Sequence, residues 1–375
     1  MWISSGTGTE HHIFAQGDAP INVADYEQLA AERLEPGVLG YFAGGAGDER
    51  TLRENVSAFG RYSLHPRMLV DVDEVSTRTT VLGTGISMPV GVAPVAFQRL
   101  VHPDGEVAMA RAAAGAGTLM TLSTIATSHP AEIAAEAPPG PRWFQLYRFR
   151  DSGVTDALIA EAVESGFEAI ALTVDAPRAG RRERDLRTGF ELPATITAPA
   201  LAAALGSNGP ITPREVFEHV DSSLTWDDLA SLAAECPLPI VLKGVQTGAD
   251  AALAVEHGAA AMVVSNHGGR QLDGVPAPIE ILPEVVDAVA GRCEVLVDGG
   301  VRRGTDVVTA LGLGARAVLV GRAPLWGLAV DGEQGARDVL EILRSEVELA
   351  MVLLGCREPD EITAEHVRAR PRLAP

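Results

Sequence analysis

The chain has 375 residues, with 50 acidic and 30 basic side chains that give a formal net charge of -20 at neutral pH. This charge repels nucleic acid and anionic membranes, so we expect neither as a partner, and an anionic ligand needs a local cationic pocket. The sequence has no apolar stretch of roughly 20 residues and no secretion-signal layout near its start, which predicts a cytoplasmic protein.

The residue types that bind metals show no ligand spacing. Cys236, Cys293 and Cys356 are far apart and odd in number, so neither a disulfide framework nor a metal site is expected. His11 and His12 lie in a leader containing Gly, Ser and Thr, and residues 1–20 are predicted to be a disordered tail. Residues 21–375 are predicted to form a single domain.

The length suits either two average domains or one large α/β barrel. Residues 22–46 predict a helix, and the chain from there to Met68 is expected to cap the base or flank of a barrel. From Met88 onward, apolar β-branched runs alternate with alanine-rich segments of helical period, which is typical of βα units. Eight such runs favour a closed (β/α)8 TIM barrel: residues 88–95, 118–124, 142–147, 169–175, 239–245, 261–267, 294–300 and 317–322.

A long insertion follows the fourth run. Residues 177–225 exceed an ordinary βα loop and contain several prolines. We predict that this segment is a mobile lid over the barrel mouth, and not a second domain.

Reactive groups of such a barrel collect where the strands end. His267 and Arg270 follow the sixth run directly. A histidine can accept a proton near neutral pH, and a guanidinium grips a carboxylate at two points, so the pair suits an acidic substrate that must lose a proton. Taken alone, the motif favours a polar turn between strand and helix, in which the histidine is hydrogen-bonded and has no catalytic role.

The ends of the last two runs predict a phosphate cradle. Gly299 and Gly300 follow Asp298, and Gly321 precedes Arg322. Glycine backbone N–H groups and a helix amino terminus can face a dianion, with Arg302 or Arg322 as the counter-charge.

The other strand ends suit a flat heterocycle. Lys243 follows an apolar run and can neutralise charge on a reduced ring. Ser123, Gln145 and Thr173 offer neutral donors and acceptors to the edge of a ring, and the segment Pro94-Val95-Ala96 can place a backbone N–H beside a ring nitrogen. Together with the cradle they indicate flavin mononucleotide (FMN).

From Tyr26 to Cys356 the chain resembles the FMN-dependent 2-hydroxy-acid oxidases, which include glycolate, lactate, mandelate and hydroxymandelate oxidases. The resemblance rests on ordered motifs: Ala43-Gly44-Gly45-Ala46, Ala93-Pro94, His102-Pro103-Asp104-Gly105-Glu106, Phe144-Gln145-Leu146-Tyr147, Leu172-Thr173-Val174-Asp175, Gly180-Arg181-Arg182, Lys243-Gly244, residues 265–273 and residues 298–306.

The resemblance implies roles for particular residues. His267 would be the catalytic base and Asp175 its orienting partner, while Arg270 and Arg182 would clamp the substrate carboxylate. The hydroxyls of Tyr41 and Tyr147 would bond the carboxylate or the reacting oxygen. Lys243 would lie near the N1 edge of the flavin. The remaining cofactor contacts implied are Pro94, Val95, Ala96, Ser123, Gln145, Thr173, Ser265, Asp298 and Gly299, with the phosphate on Gly300, Arg302, Gly321 and Arg322.

The implied reaction converts an (S)-2-hydroxy acid to a 2-oxo acid and passes two electrons through FMN to O2, giving H2O2. Hydride and carbanion routes both stay open. Ile125 stands where the short-chain glycolate oxidases have a large aromatic residue. With Val95 and Phe97 nearby, this favours a roomier apolar pocket for lactate, a longer acid or an aryl acid such as mandelate.

Two alternatives remain at this point. An FMN-dependent 2-hydroxy-acid dehydrogenase or a lactate monooxygenase would share the same motifs but differ in the fate of the electrons or of the product. An FMN-binding isomerase without net redox turnover would share only the phosphate cradle. The resemblance also implies a homo-oligomer, most simply a tetramer.

Overall fold

The computed structural model describes residues 19–207 and 212–370. Within these ranges, eight parallel strands close into a barrel, which confirms the predicted (β/α)8 fold. The predicted disordered tail lies outside the described residues except for its last two positions.

The helices and strands of the described ranges alternate through most of the chain. The strands are β1 (Tyr62–Leu64), β2 (Thr79–Val81), β3 (Thr84–Ile86), β4 (Val90–Val92), β5 (Met120–Leu122), β6 (Arg142–Leu146), β7 (Ala169–Thr173), β8 (Ile240–Val245), β9 (Ala261–Val264), β10 (Glu294–Asp298), β11 (Ala317–Val320) and β12 (Val367–Ala369). The helices are α1 (Val23–Arg33), α2 (Pro36–Ala43), α3 (Arg50–Ser57), α4 (Gly105–Gly115), α5 (Pro130–Glu136), α6 (Ser152–Glu164), α7 (Glu183–Thr188), α8 (Pro199–Ala204), α9 (Pro213–His219), α10 (Trp226–Glu235), α11 (Gly248–Glu256), α12 (Pro278–Val289), α13 (Gly304–Gly312) and α14 (Arg322–Leu354).

The barrel consists of β4 to β11, with β11 paired to β4 at the closure. Every residue of β6 and β7 is buried, because helices cover the outer face of each strand and side chains fill the interior of the barrel. The eight predicted runs overlap these strands, and the structure trims seven of them by one to three residues at the polar end, while the run 239–245 ends together with β8. Those trimmed residues form the loops at the mouth.

The amino-terminal region forms two helices where the sequence predicts one. Leu34 and Glu35 are extended between α1 and α2, since the ring of Pro36 disfavours helical backbone at the residue before it. The phenol of Tyr26 in α1 donates a hydrogen bond to Asp338 in α14, 3.2 Å away, so α1 lies on the barrel flank.

The base of the barrel is closed by a later segment than expected. The hairpin of β2 and β3 buries Val81 and Ile86 against Trp143 and neighbouring side chains at the strand starts. The backbone N–H of Leu82 at its tip donates to the Glu294 carboxylate at 2.8 Å. Helix α3 packs against the turn at His267, so this part of the segment before Met68 lies at the mouth, while β1 pairs with β12.

The long segment between β7 and β8 contains helices α7 to α10. Pro199 and Pro213 each occupy the first turn of a helix, where a missing N–H costs nothing, so these prolines start helices and do not mark an irregular loop. A backbone bridge joins Val220 to Phe149 after β6, which fastens the end of the segment to the barrel.

Helix α14 bends sharply at Asp331 and Gly332, whose backbone angles are not helical. The bend folds the helix back so that the backbones of Gly327 and Gly335 touch, and a Cβ at Gly335 would lie 2.2 Å from the Gly327 carbonyl oxygen. Across residues 19–207 and 212–370, no helix has both the length and the apolar composition that crossing a bilayer requires.

We expect Gly335→Ala to lower the free energy of unfolding by about 3 kcal/mol, because the added methyl group has no space against rigid backbone. Gly60→Ala is the matched control, since a Cβ at Gly60 meets nothing within 4 Å. Denaturant unfolding of the two variants measures the difference. Equal stability of both variants would contradict the close packing of the bend.

Candidate active site

A cavity of about 1090 Å³, counting the space at its open mouth, lies at the carboxyl ends of the barrel strands. Nearly all of the predicted site residues line it. They are Tyr41, Pro94, Val95, Ala96, Ser123, Gln145, Tyr147, Thr173, Arg182, Lys243, His267, Arg270, Asp298, Gly299, Gly300, Arg302, Gly321 and Arg322. Asp175 and Ser265 lie behind this wall and contact residues that line it.

His267 reaches the cavity from a strained turn after β9. Its backbone has a φ of +59°, a region that a residue with a Cβ rarely adopts, and its N–H donates to Ser265 Oγ at 3.0 Å. The ring Nδ1 lies 2.9 Å from a carboxylate oxygen of Asp175. Because the carboxylate accepts from Nδ1–H, Nε2 is the nitrogen left to accept a proton from a ligand.

Asp175 is held as a buried anion. Burial alone would raise the pKa of this carboxyl, but the charge and hydrogen bond of His267 and the charge of Lys243 hold the pKa below its ordinary value. The neighbouring Gly244 has a φ of +113°, and a Cβ there would lie 2.7 Å from the Asp175 Cβ. Glycine at this bulge of β8 therefore makes room for the Asp175 side chain.

Lys243 forms a second buried charge pair. Its ammonium lies 3.0 Å from a carboxylate oxygen of Asp298 and donates to Ser265 Oγ, also at 3.0 Å. Burial would lower the pKa of Lys243, but the charges of Asp298 and Asp175 outweigh burial and raise the pKa above its ordinary value. The lysine therefore presents a positive charge to the cavity, and Ser265 positions it from behind.

Two arginines and an aromatic ring form one side of the mouth. The guanidinium carbon of Arg270 lies 5.2 Å from the centre of the Tyr41 ring, and that of Arg182 lies 5.8 Å from it. Arg270 also donates to the Tyr41 and Gly44 carbonyls at 2.6 and 2.9 Å. Both guanidinium groups thus border the same pocket as His267 and can bind one carboxylate there.

Apolar side chains form another part of the pocket wall. Ile125, Val95 and Leu325 line it, together with Phe217 from α9. The Phe217 ring packs edge-on against Tyr147, with ring centres 5.6 Å apart. Burial raises the pKa of Tyr147 strongly, so its phenol stays protonated and can donate a hydrogen bond.

The far end of the cavity carries excess positive charge. Arg322 donates to the carbonyls of Phe42, Gly268 and Gly44 at 2.8 to 3.0 Å. Burial lowers the pKa of Arg322 well below its ordinary range, and the charges of Arg270 and Arg302 lower it further. Burial likewise lowers the pKa of Arg302, whose ion-pair partner among the described residues is Glu27, at 3.7 Å. Since arginine stays protonated in proteins, this end of the cavity suits an anion.

Several functional contacts come from residues that the sequence analysis did not single out. Asn55 in α3 exchanges two amide hydrogen bonds with Asn266, at 2.9 and 2.7 Å, and so anchors the turn that carries His267. Gln271 donates to the carbonyls of Asp175 and Arg178 at 3.1 and 2.8 Å. Burial raises the pKa of Asp185 although the charges of Arg270 and Arg182 oppose the rise. Of these residues, Asn266 and Gln271 lie within the motif of residues 265–273, whereas no sequence signal indicated Asn55 or Asp185.

Comparison with known proteins identifies this arrangement. The family model of FMN-dependent dehydrogenases matches residues 30–369. An L-lactate oxidase of Nostoc sp. is 49% identical over 353 residues, covering 92% of this chain and 97% of the relative. Glycolate oxidase 3 of Arabidopsis thaliana is 51% identical over 352 residues, covering 92% of this chain and 95% of the relative.

Solved structures agree with the sequence relatives. A mandelate oxidase variant with (S)-mandelic acid superposes with a TM-score of 0.86 at 43% identity, covering 95% of this chain and 100% of that chain. A soluble mutant of the membrane-associated (S)-mandelate dehydrogenase from Pseudomonas putida has a TM-score of 0.86 at 34% identity, covering 93% and 99%.

The closed barrel with a cationic cavity at its strand ends defines a class of enzyme that binds a phosphorylated cofactor at the mouth. Within that class, the chain belongs to the FMN-dependent dehydrogenase family, and its cofactor is FMN.

The residues present fit that cofactor. Gln145 Nε2 and Thr173 Oγ1 are buried polar atoms of cavity-lining residues without a hydrogen-bond partner among the described residues, as is Asp298 Oδ1. Such atoms are costly unless a ligand satisfies them, and the edge of an isoalloxazine ring offers matching groups. The positively charged end of the cavity at Arg302 and Arg322 suits the FMN phosphate.

We expect apoprotein to bind FMN at least about 100-fold more tightly than riboflavin, because the phosphate adds charge-assisted hydrogen bonds. Arg302→Met is expected to weaken FMN binding by about 10- to 100-fold and to leave riboflavin binding nearly unchanged. Arg303→Met is the control, since Arg303 pairs with Glu346 at 2.7 Å and does not line the cavity. Titration of flavin fluorescence measures the six affinities of the three proteins for the two flavins, and an equal loss for both flavins in Arg302→Met would contradict a phosphate role for Arg302.

Proposed function

We propose that this chain is an FMN-dependent oxidase that converts an (S)-2-hydroxy acid to the 2-oxo acid, with O2 as electron acceptor and H2O2 as product. The observation that carries this proposal is that His267, with its Nδ1 engaged by Asp175, lines the same cavity as Arg270 and Arg182. FMN, when bound, supplies the two-electron acceptor and the reactivity with O2. The chain supplies the base and the binding of the acid.

The carboxylate of the acid is bound by Arg270 and Arg182. Stacking on Tyr41 and the bonds from Arg270 to backbone carbonyls restrict both guanidinium groups before substrate arrives. Pre-orientation of this kind can lower a reaction barrier by several kcal/mol, on the order of the effects measured for intramolecular reactions. The phenols of Tyr41 and Tyr147 supply further donors to the carboxylate or to the reacting oxygen.

His267 accepts a proton from the substrate at Nε2. This proton comes from the hydroxyl group in the hydride route and from the α-carbon in the carbanion route. The carboxylate of Asp175 keeps the proton on Nδ1 and stabilises the imidazolium that forms, since it is a buried anion 2.9 Å away. Lys243 does not serve as a base, because its raised pKa keeps it charged. Its role is electrostatic, toward a cofactor that gains negative charge.

The preferred acid is proposed to be lactate, a longer-chain acid or an aryl acid such as mandelate. Support comes from the apolar surface of Ile125, Val95, Phe217 and Leu325 beside the polar groups. The relatives named lactate oxidase and mandelate oxidase agree with this preference, whereas the glycolate oxidases argue for a smaller acid.

A dehydrogenase that passes electrons elsewhere is the second candidate, because one structural relative is a membrane-associated mandelate dehydrogenase. The oxidases are the more similar relatives, at 49 to 51% identity against 34%. We therefore favour oxidase activity. Cytoplasmic location and a homotetramer are further proposals that rest on the sequence and the resemblance, and sedimentation and cell fractionation test them.

Mixing the holoenzyme with lactate or mandelate without air is expected to bleach the flavin absorbance, and admitting air is expected to give one H2O2 per 2-oxo acid. In His267→Gln the bleaching rate is expected to fall by at least about 1000-fold, because the base is lost. His257→Gln, which does not line the cavity, should bleach at the normal rate. Bleaching without peroxide would point to a dehydrogenase, and no bleaching by any 2-hydroxy acid would refute the proposal.

Ile125→Tyr is expected to shift the preference toward small acids, because the larger ring fills the apolar pocket. We expect kcat/KM for mandelate to fall by about 10- to 100-fold, while kcat/KM for glycolate rises or stays constant. Ile125→Leu is the control, since it conserves volume. If Ile125→Tyr lowered kcat/KM equally for both acids, Ile125 would not determine substrate size.

A further inference from the structure

A second, more open groove lies directly outside the cavity. Phe217 and Arg182 line both the cavity and the groove, so the two spaces meet at these side chains. Among the described residues, the groove is lined by five arginines: Arg150, Arg178, Arg181, Arg182 and Arg214. This concentration of cations stands out in a chain with 50 acidic and 30 basic side chains.

The outer arginines are weakly neutralised. Arg181 lies 3.9 Å from Glu183 and Arg214 lies 3.5 Å from Glu218, with 77% and 91% of the arginine side chains exposed. Exposed pairs of this kind contribute little and exchange partners readily. In the described part of the chain, Arg150 and Arg178 have no carboxylate within ion-pair distance.

The carboxylates that do line the groove are fewer. Asp185 and Glu218 are the acidic lining residues within the described ranges. Asp185 lies on the inner side, where it interacts with Arg182 and Arg270, and burial raises its pKa. The outer part of the groove therefore keeps a positive charge.

We propose that this groove is an outer anion site that captures the carboxylate of the substrate and passes it to Arg182 and Arg270. The proposal rests on the proposed function, since it takes the substrate to be a carboxylic acid. A chain of net charge -20 repels such a substrate at long range. A local cationic groove reverses this repulsion within about one Debye length, roughly 8 Å at physiological salt, just where the substrate enters.

Arg182 connects the two sites. It contacts the Tyr41 ring inside and also lines the groove outside, so a carboxylate can move from the outer arginines to the inner pair without losing a cationic partner. The outer arginines are predicted to act on the association rate constant more than on the dissociation rate constant, as charges at the rim of a binding site do.

The test uses the holoenzyme and benzoylformate, a 2-oxo acid that has no α C–H bond to be oxidised, with flavin absorbance followed by stopped flow. The variant is Arg178→Gln/Arg181→Gln/Arg214→Gln. At low ionic strength we expect its association rate constant to be about 10-fold below that of the unmodified protein, with a flatter dependence on salt. The neutral ligand 2-hydroxy-2-phenylacetamide should associate equally fast with both proteins.

The control variant Arg78→Gln/Arg292→Gln/Arg368→Gln removes the same charge from positions that line neither space. Normal association with benzoylformate is expected. An unchanged rate constant in the groove variant, or an equal decrease in the control variant, would overturn the proposal. Because the ligand is not oxidised, either result is distinct from a failure of the proposed oxidase activity, which the bleaching experiment detects.

Discussion

The hydrogen bond between His267 and Asp175 is the interaction on which the chemistry of the site depends. It joins the ends of two strands, β7 and β9, which lie on either side of β8 in the barrel. Two local features permit it. The backbone of His267 adopts a positive φ, and Gly244 leaves space beside the Asp175 carboxyl. The strain of the turn is offset by packing and amide hydrogen bonds from α3.

Positive charge is concentrated in the cavity and the groove, although the chain as a whole is acidic. The chain as a whole is strongly acidic, whereas the cavity and the groove outside it collect arginines and one buried lysine. Lys243 is neutralised by Asp298 and remains charged. Arg302 and Arg322 are compensated less well, so this end of the cavity favours an anion. Cofactor and substrate each supply part of the missing negative charge.

Much of the fold could be predicted because its signals are local and repeated. The β-branched runs and the segments of helical period each satisfy a requirement set by nearby residues, and a barrel places every strand end at one mouth. Most residues of the candidate site could be predicted for the same reason, because residues such as Lys243, Gln145 and Thr173 lie at those strand ends. The break before Pro36 was also visible in the sequence, but the continuous helical pattern on both sides of it favoured a single helix.

Contacts between distant segments could not be predicted in the same way. Asn55 meets Asn266 across 211 positions, Phe217 reaches Tyr147 from the segment after β7, and the β2–β3 hairpin closes the base. The amino-acid sequence by itself determined the barrel, the cofactor class and the residue types at each strand end, because these depend on periodicity and on local chemistry. Only the tertiary structure decided which side chains meet, which are buried without a partner and where the arginines converge, because those properties arise from the packing of segments far apart in the chain.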